Sequence, residues 1–278
     1  MIFEDIMGLT KRINVLDLGA KCYLSDKQNY DALTDIFVCG VDYFPEQESL
    51  DEYQHYDQLI NAVIGDGTSK LFYITEFESC SSLFEPNHKL LASYQTLSEW
   101  LTVKQVRRVN TVKLNELKLD RAPDFIKSDI QGADALAIQY GDRYFGSALV
   151  VEVEVEFLPQ YQGQPLFSEV EQLLRAQGYM FHTFTGYGSR MLKPADNPYE
   201  PYDTFNQWLW SHAVFIKDIH ADSLSSEEYV KLALIAHDVY QSYDVALHCL
   251  EKSEVDESPY QEFLIREFED ETAKFSDL

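Results

Sequence analysis

A series of short apolar runs, each closing on an aspartate or glycine turn, dominates the first half of the chain. NVLDL (Asn14 to Leu18) runs into Gly19, and IFVCGV (Ile36 to Val41) runs into Asp42. LINAVI (Leu59 to Ile64) meets Gly65, Asp66 and Gly67, and DFIKS leads to Asp129. Such runs read as buried strands ending in tight turns. Helical patterns separate them, as over Lys27 to Leu33, Gly132 to Tyr140 and Ser168 to Gln177. Strands alternating with helices predict an α/β fold with a mostly parallel sheet and helices on both faces. KLFYIT (Lys70 to Thr75) alternates and is expected to pair with the third run as a hairpin, with Thr111 to Leu119 as an amphipathic connection.

After His220 the strand pattern stops. Ser225 to Ala236, Tyr243 to Glu251 and Tyr260 to Phe275 read as helices, and Ser225 with Glu228 has the spacing of a capping box. No linker composition divides the chain. The expected organisation is one α/β domain over 1–220 and a helical C-terminal extension over 221–278.

Composition removes several functions. The net charge is -25, from 47 acidic and 22 basic residues. A surface this acidic repels phosphate backbones and anionic membranes, so no nucleic-acid partner is expected. No apolar run is long enough for stable membrane insertion, and MIFEDIMGL is no signal peptide, so a cytoplasmic protein is expected. The four cysteines, Cys22, Cys39, Cys80 and Cys249, are scattered without ligand spacing. The seven histidines form no HxH or HExxH pattern. No metal site is therefore expected. His182 and His212 fall on expected strands, where either can act as a base. GxSxG and GxxxxGK[ST] are absent, which sets aside serine-hydrolase and P-loop chemistry.

Ligands of an open parallel sheet sit at the carboxyl ends of its strands. Asp17 and Gly19 end the first run, where glycine lets backbone approach a ligand. The following AKCYLSD supplies no further glycine, so a pyrophosphate finds a poor cradle and a cofactor without phosphate fits better. Asp42 can accept hydrogen bonds from ribose hydroxyls. Asp66 can reach an adenine amine or cap its own turn. Period two puts Lys127, Asp129 and Gln131 on one side of the fourth strand. VVEVEVEF (Val150 to Phe157) alternates strictly, so Glu152, Glu154 and Glu156 share one face. Flanking valines indicate a central strand buried on both faces, where glutamates need partners or a polar cleft.

These segments resemble the FkbM-type methyltransferases from about Val15 to Phe215. LDLGA, GVDYFP, NAVIGDG, SCSSLFEP, DFIKSDIQGAD, VEVEFLPQYQGQPLFSEV and QWLWSHAVFIKD follow one another in family order. The resemblance implies a Rossmann-like fold that binds S-adenosylmethionine and moves its methyl to a hydroxyl oxygen. The implied acceptor is a sugar, a glycan or a related small metabolite. Asp17 and Gly19 match the first cofactor loop, Asp66 the third-strand motif, and Ser82 a loop over the cofactor. Asp42 stands where the family commonly has glutamate. Asp129, Gln131 and Gly132 match the fourth-strand motif. The chain departs from the family pattern at Lys21, at the missing second glycine and at Asp134. Asp129, Glu154 and Glu156 are the candidate proton acceptors. A catalytically inactive binding or scaffolding module is the alternative, and the helical tail is a possible homodimer contact.

Overall fold

The computed structural model describes residues 1–20, 27–44, 55–197, 199, 200, 202 and 204–276, with side chains described as far as residue 269. Lys21 and Cys22 lie outside the described residues. The strands are β1 (Ile13–Leu18), β2 (Ile36–Asp42), β3 (Gln58–Asn61), β4 (Val63–Ile64) and β5 (Ser69–Thr75), then β6 (Val103–Val112), β7 (Phe125–Ser128), β8 (Val150–Glu156), β9 (Tyr179–Gly188) and β10 (Trp210–Lys217). The helices are α1 (Phe3–Met7), α2 (His88–Leu91), α3 (Leu97–Trp100), α4 (Asp134–Gln139), α5 (Asp142–Ser147), α6 (Phe167–Ala176), α7 (Ser226–Asp238), α8 (Tyr243–Lys252) and α9 (Ser258–Ser276).

One seven-stranded sheet has the order β3-β2-β1-β7-β8-β10-β9. Pairing is parallel for β3 with β2, β1 with β7, and β7 with β8. β10 runs antiparallel to both β8 and β9. The mostly parallel α/β sheet expected from the sequence is present. Its chain order reverses between β1 and β7, because β1 leads outward to β2 and β3 while β7 leads the other way. The carboxyl ends of the strands flanking that reversal are where such sheets bind ligands.

Burial explains the central strands. Every residue of β7 and of β8 is buried. The valines of β8 therefore pack on one face while its three glutamates are enclosed on the other, as the alternation predicts. Removing a carboxylate from water without a partner is costly, so the glutamates place a polar requirement on the space they face.

A second, three-stranded sheet has the order β4-β6-β5. It corrects three expectations. The apolar run Leu59 to Ile64 is two strands, because β3 ends at Asn61 and the short β4 pairs with β6 instead. Asn61 turns the chain: its Oδ1 accepts from Phe44 N (3.0 Å) and its Nδ2 donates to the Phe44 carbonyl (2.8 Å). β5 pairs with β6, not with the third run. The connection expected over Thr111 to Leu119 begins as the end of β6.

The chain divides into two compact units, Val15–Ser25 with Val38–Lys217, and Met1–Asn14 with Asp26–Phe37 and Asp218–Leu278. The second contains α1, α7, α8 and α9. Ser225 caps α7: its side chain accepts from Glu228 N, and Glu228 Oε2 accepts from Ser225 N (2.7 Å). Phe3 N donates to Asp238 Oδ1 at the other end of α7 (2.8 Å). No helix among the described residues is long and apolar enough to cross a membrane.

Candidate active site at the carboxyl ends of β1, β7 and β8

Asp17 and Lys127 face each other across the β1–β7 pair, in register. Asp17 is 1% exposed, and its Oδ1 lies 3.1 Å from Lys127 Nζ. Burial pulls the Lys127 ammonium down, but Asp17 and then Asp129 outweigh it, so its pKa stands above the ordinary lysine value. Lys127 Nζ also donates to the Gly19 carbonyl (3.2 Å). The Tyr56 hydroxyl lies 2.8 Å from Asp17 Oδ2 and 3.0 Å from the Ala20 carbonyl. Asp17 thus braces the first loop from beneath.

Gly19 has φ +83, and a Cβ there would collide with the Asp129 carbonyl oxygen. Glycine is required at this position by the neighbouring strand itself. Asp129 N donates to the Leu18 carbonyl (2.9 Å), closing the two strand ends together.

Gln131 is the hub beyond that closure. It adopts the left-handed region with φ 52, which a non-glycine residue occupies at a cost of about 1 kcal/mol. Its Nε2 donates to Asp129 Oδ1 and to Glu154 Oε2, each at 2.8 Å. Its Oε1 lies 2.8 Å from the hydroxyl of buried Tyr161, which is equally close to the Cys80 carbonyl. Its carbonyl accepts from Ser82 Oγ (2.6 Å), and Ser82 Oγ accepts from Phe84 N (3.0 Å). Ser82 therefore latches the loop carrying SCSSLF onto the turn after β7.

The carboxylates here are strongly unequal. Burial raises the Glu154 carboxyl well above its ordinary range, and Asp129 and Glu156 raise it further. Asp129 moves the other way. Burial opposes ionisation, but Lys127, then His212, and a shared hydrogen bond with Glu154 hold its pKa below the ordinary value. Asp129 thus favours the charged form and Glu154 the protonated one, the division that adjacent acids adopt. Glu156 is pushed up to about 8 by burial first and Asp134 second, with the Gln164 amide pulling back. Asp134 is raised to about 6, chiefly by burial, although its Oδ1 accepts from Ser128 Oγ (2.6 Å) and Ile130 N (3.3 Å).

The structure thus joins Asp17, Gly19, Ser82, Asp129, Gln131 and Glu154 in one linked network, with Glu156 on the same strand face as Glu154. Asp42 is half-buried at the end of β2, the strand next to β1, and its Oδ1 accepts from Tyr43 N (2.6 Å). Asp66 is engaged in its own turn. It accepts from Thr68 N (3.0 Å) and Thr68 Oγ1 (2.6 Å) and pairs with Lys70 Nζ (2.8 Å). Lys70, then Thr68, hold its pKa below the ordinary carboxylate range. That is the turn-capping alternative.

Tyr56, Asn61 and Tyr161 support this region without a signal in the local sequence pattern. Tyr161 follows the glutamate strand by only a few residues, yet nothing in its spacing marks it as the partner of Gln131.

Comparison with known proteins bears on the family. The model of the methyltransferase FkbM domain matches residues 40–181, half of the 278-residue chain. No curated protein sequence matches significantly. Among solved structures, a TehB-like SAM-dependent methyltransferase from Corynebacterium glutamicum is similar at 12% identity, over 75% of this chain and 83% of that one, with a TM-score of 0.36. Magnesium protoporphyrin IX methyltransferase from Synechocystis is similar at 11% identity, over 74% and 70%, with a TM-score of 0.37. Likenesses this distant identify neither ligand nor reaction. The family match is of a different order, and it agrees with the resemblance that the sequence motifs carry: this chain belongs to the FkbM methyltransferase family.

Proposed function

We propose that this methyltransferase moves the methyl of S-adenosylmethionine to a hydroxyl oxygen of a sugar, a glycan or a related small metabolite. The observation that carries this reading is the Gln131 amide holding Asp129 and Glu154 together beside the strand reversal, at 2.8 Å from each.

The residues fit a cationic cofactor without phosphate. Gly19 is the lone glycine of the first loop, so no pyrophosphate cradle forms, while Asp42 and Asp129 supply negative charge around the strand ends. Bound there, S-adenosylmethionine supplies an electrophilic methyl on a sulfonium. Gly19 and Asp42 border the cofactor in this reading. Ser82 and Gln131 would help to hold it, and Asp17 holds the loop through Lys127. Asp66 contributes at most through the shape of its turn.

A sugar hydroxyl is a weak nucleophile and gains from a positioned base. Asp129 is the carboxylate held ionised, and Glu154 and Glu156 complete the row. Glu154, joined to Asp129 by Gln131 and by a shared hydrogen bond, is where disturbing the proton-sharing pair is expected to matter most. Oligosaccharides and hydroxylated metabolites are to be screened for S-adenosylhomocysteine release, with the product's methyl located by NMR. A methoxy product supports the reading, and a methyl on nitrogen or carbon overturns it. With that acceptor, Glu154→Gln is expected to lower kcat by about 100-fold or more, the usual worth of positioned acid–base catalysis, while the cofactor Kd stays within about threefold. Unchanged turnover removes Glu154 from the mechanism.

A further inference from the structure

Asp129, Glu154 and His212 reach one point from three strands that no local spacing connects. Asp129 follows β7, Glu154 lies on β8, and His212 lies on β10 directly opposite Glu154 in the antiparallel register. One ligand-capable atom from each lies within 4.8 Å of the others. Two oxygens and an imidazole nitrogen so gathered form the donor set of a divalent cation of the Mn²⁺ or Mg²⁺ kind, with a contraction to about 3–4 Å on binding.

Three features favour an ion over a fortuitous cluster. First, Asp129 and Glu154 each accept a hydrogen bond from the same Gln131 amide. A hydrogen-bonded group that orients both carboxylates is what ligating carboxylates require. Second, His212 Nδ1 is sealed from solvent without a hydrogen-bond partner, 3.8 Å from Glu152 Oε1. Third, the buried ammonium of this region is already committed, since Lys127 pairs with Asp17 and donates to Gly19. Those bonded partners leave Lys127 acting on Asp129 through its field rather than through a direct bond.

We propose that Asp129, Glu154 and His212 bind one divalent cation at the ends of β7 and β8. Three protein ligands leave coordination positions open. A cation there can hold an acceptor oxygen and lower the pKa of a bound hydroxyl. This goes beyond the transfer reading and does not require it, because the ion binds without cofactor or acceptor.

The test uses the full chain, stripped with EDTA and titrated with Mn²⁺ alone. Free Mn²⁺ is followed by its EPR signal, and pulsed EPR reads nitrogen coupling to the bound ion. The expected result is one saturable Mn²⁺ per chain with an imidazole nitrogen coupling. Glu154→Gln is expected to weaken binding about tenfold or more. His212→Asn is expected to abolish the nitrogen coupling and to weaken binding similarly, with circular dichroism confirming that both variants fold. Absence of saturable binding to the unaltered chain overturns the proposal. So does Mn²⁺ binding whose affinity and nitrogen coupling are the same in both variants.

Discussion

His237 is buried and His212 half-buried with one ring nitrogen shielded from solvent, and they sit in opposite kinds of surroundings. His237, on α7, is packed by Phe3, Tyr243, Tyr260 and Phe263. Both of its ring nitrogens have partners: Nδ1 lies 2.7 Å from the Tyr260 hydroxyl and Nε2 lies 3.0 Å from the Met1 carbonyl. One tautomer satisfies everything, with Nε2–H donating to Met1 and Nδ1 accepting from Tyr260. His212, on β10, has a sealed nitrogen without a hydrogen bond and stands beside Asp129 and Glu154. The helical unit answers each of these polar groups locally, as a structural core does. The sheet unit gathers acids faster than it supplies cations. A fold tolerates such an imbalance where a ligand is to be received, so the contrast separates packing from chemistry.

Breaking the one balanced pair of the cleft is expected to have the largest effect on stability. Lys127→Met leaves Asp17 buried beside an apolar chain, and loss of one partner of a buried ion pair costs about 3–5 kcal/mol. Thermal denaturation is expected to show a Tm lower by about 10 °C. A loss below about 1 kcal/mol would show that buried Asp17 does not depend on Lys127.

Asp134 sharpens the contrast through pH. Its folded pKa, raised to about 6, exceeds the ordinary aspartate value of 3.8. A carboxyl raised in this way favours the folded state at low pH, and that stability is lost as pH climbs from about 4 through 6. The linked change is about 3 kcal/mol. Asp134→Asn keeps an oxygen for Ser128 and Ile130 and is expected to remove this portion of the pH dependence, measured by urea unfolding at pH 4 and pH 7. Parallel profiles for the two proteins would contradict it.

In the helical unit the effects are expected to be smaller and confined to stability. His237→Phe strands the Tyr260 hydroxyl, at a cost of about 1–3 kcal/mol. Adding Tyr260→Phe is expected to restore part of that loss, because removing both partners leaves no orphan. Cofactor affinity is expected to be unchanged in both variants, and a shifted affinity would erase the distinction between the two regions.

Local pattern carried the parallel core because its information is local. The valines of β8 and the alternation of Glu152, Glu154 and Glu156 specify a doubly buried strand with one acidic face. The turns at Gly19 and Asp129 mark strand ends for the same reason. Three things were not legible. Asn61 ends β3 by bonding the Phe44 backbone, a contact between distant segments, so the apolar run past it looked continuous. β6 displays Lys104, Arg107 and Arg108 to solvent and pairs with β5 across a long insertion, which hides its strand character. His212 meets Glu154 through the register of an antiparallel pair, and register is set by the whole sheet rather than by spacing along the chain. The same limit applies to the proposed cation site, whose three residues no spacing along the chain connects.

The central claim is that the strand ends around Gly19, Asp42, Asp129 and Gln131 receive S-adenosylmethionine. Isothermal titration calorimetry of the full chain with S-adenosylmethionine, S-adenosylhomocysteine and NAD tests it most directly. Saturable heat with the two sulfur ligands and none with NAD is the expected result. No heat with either sulfur ligand, or saturable heat with NAD alone, would contradict it.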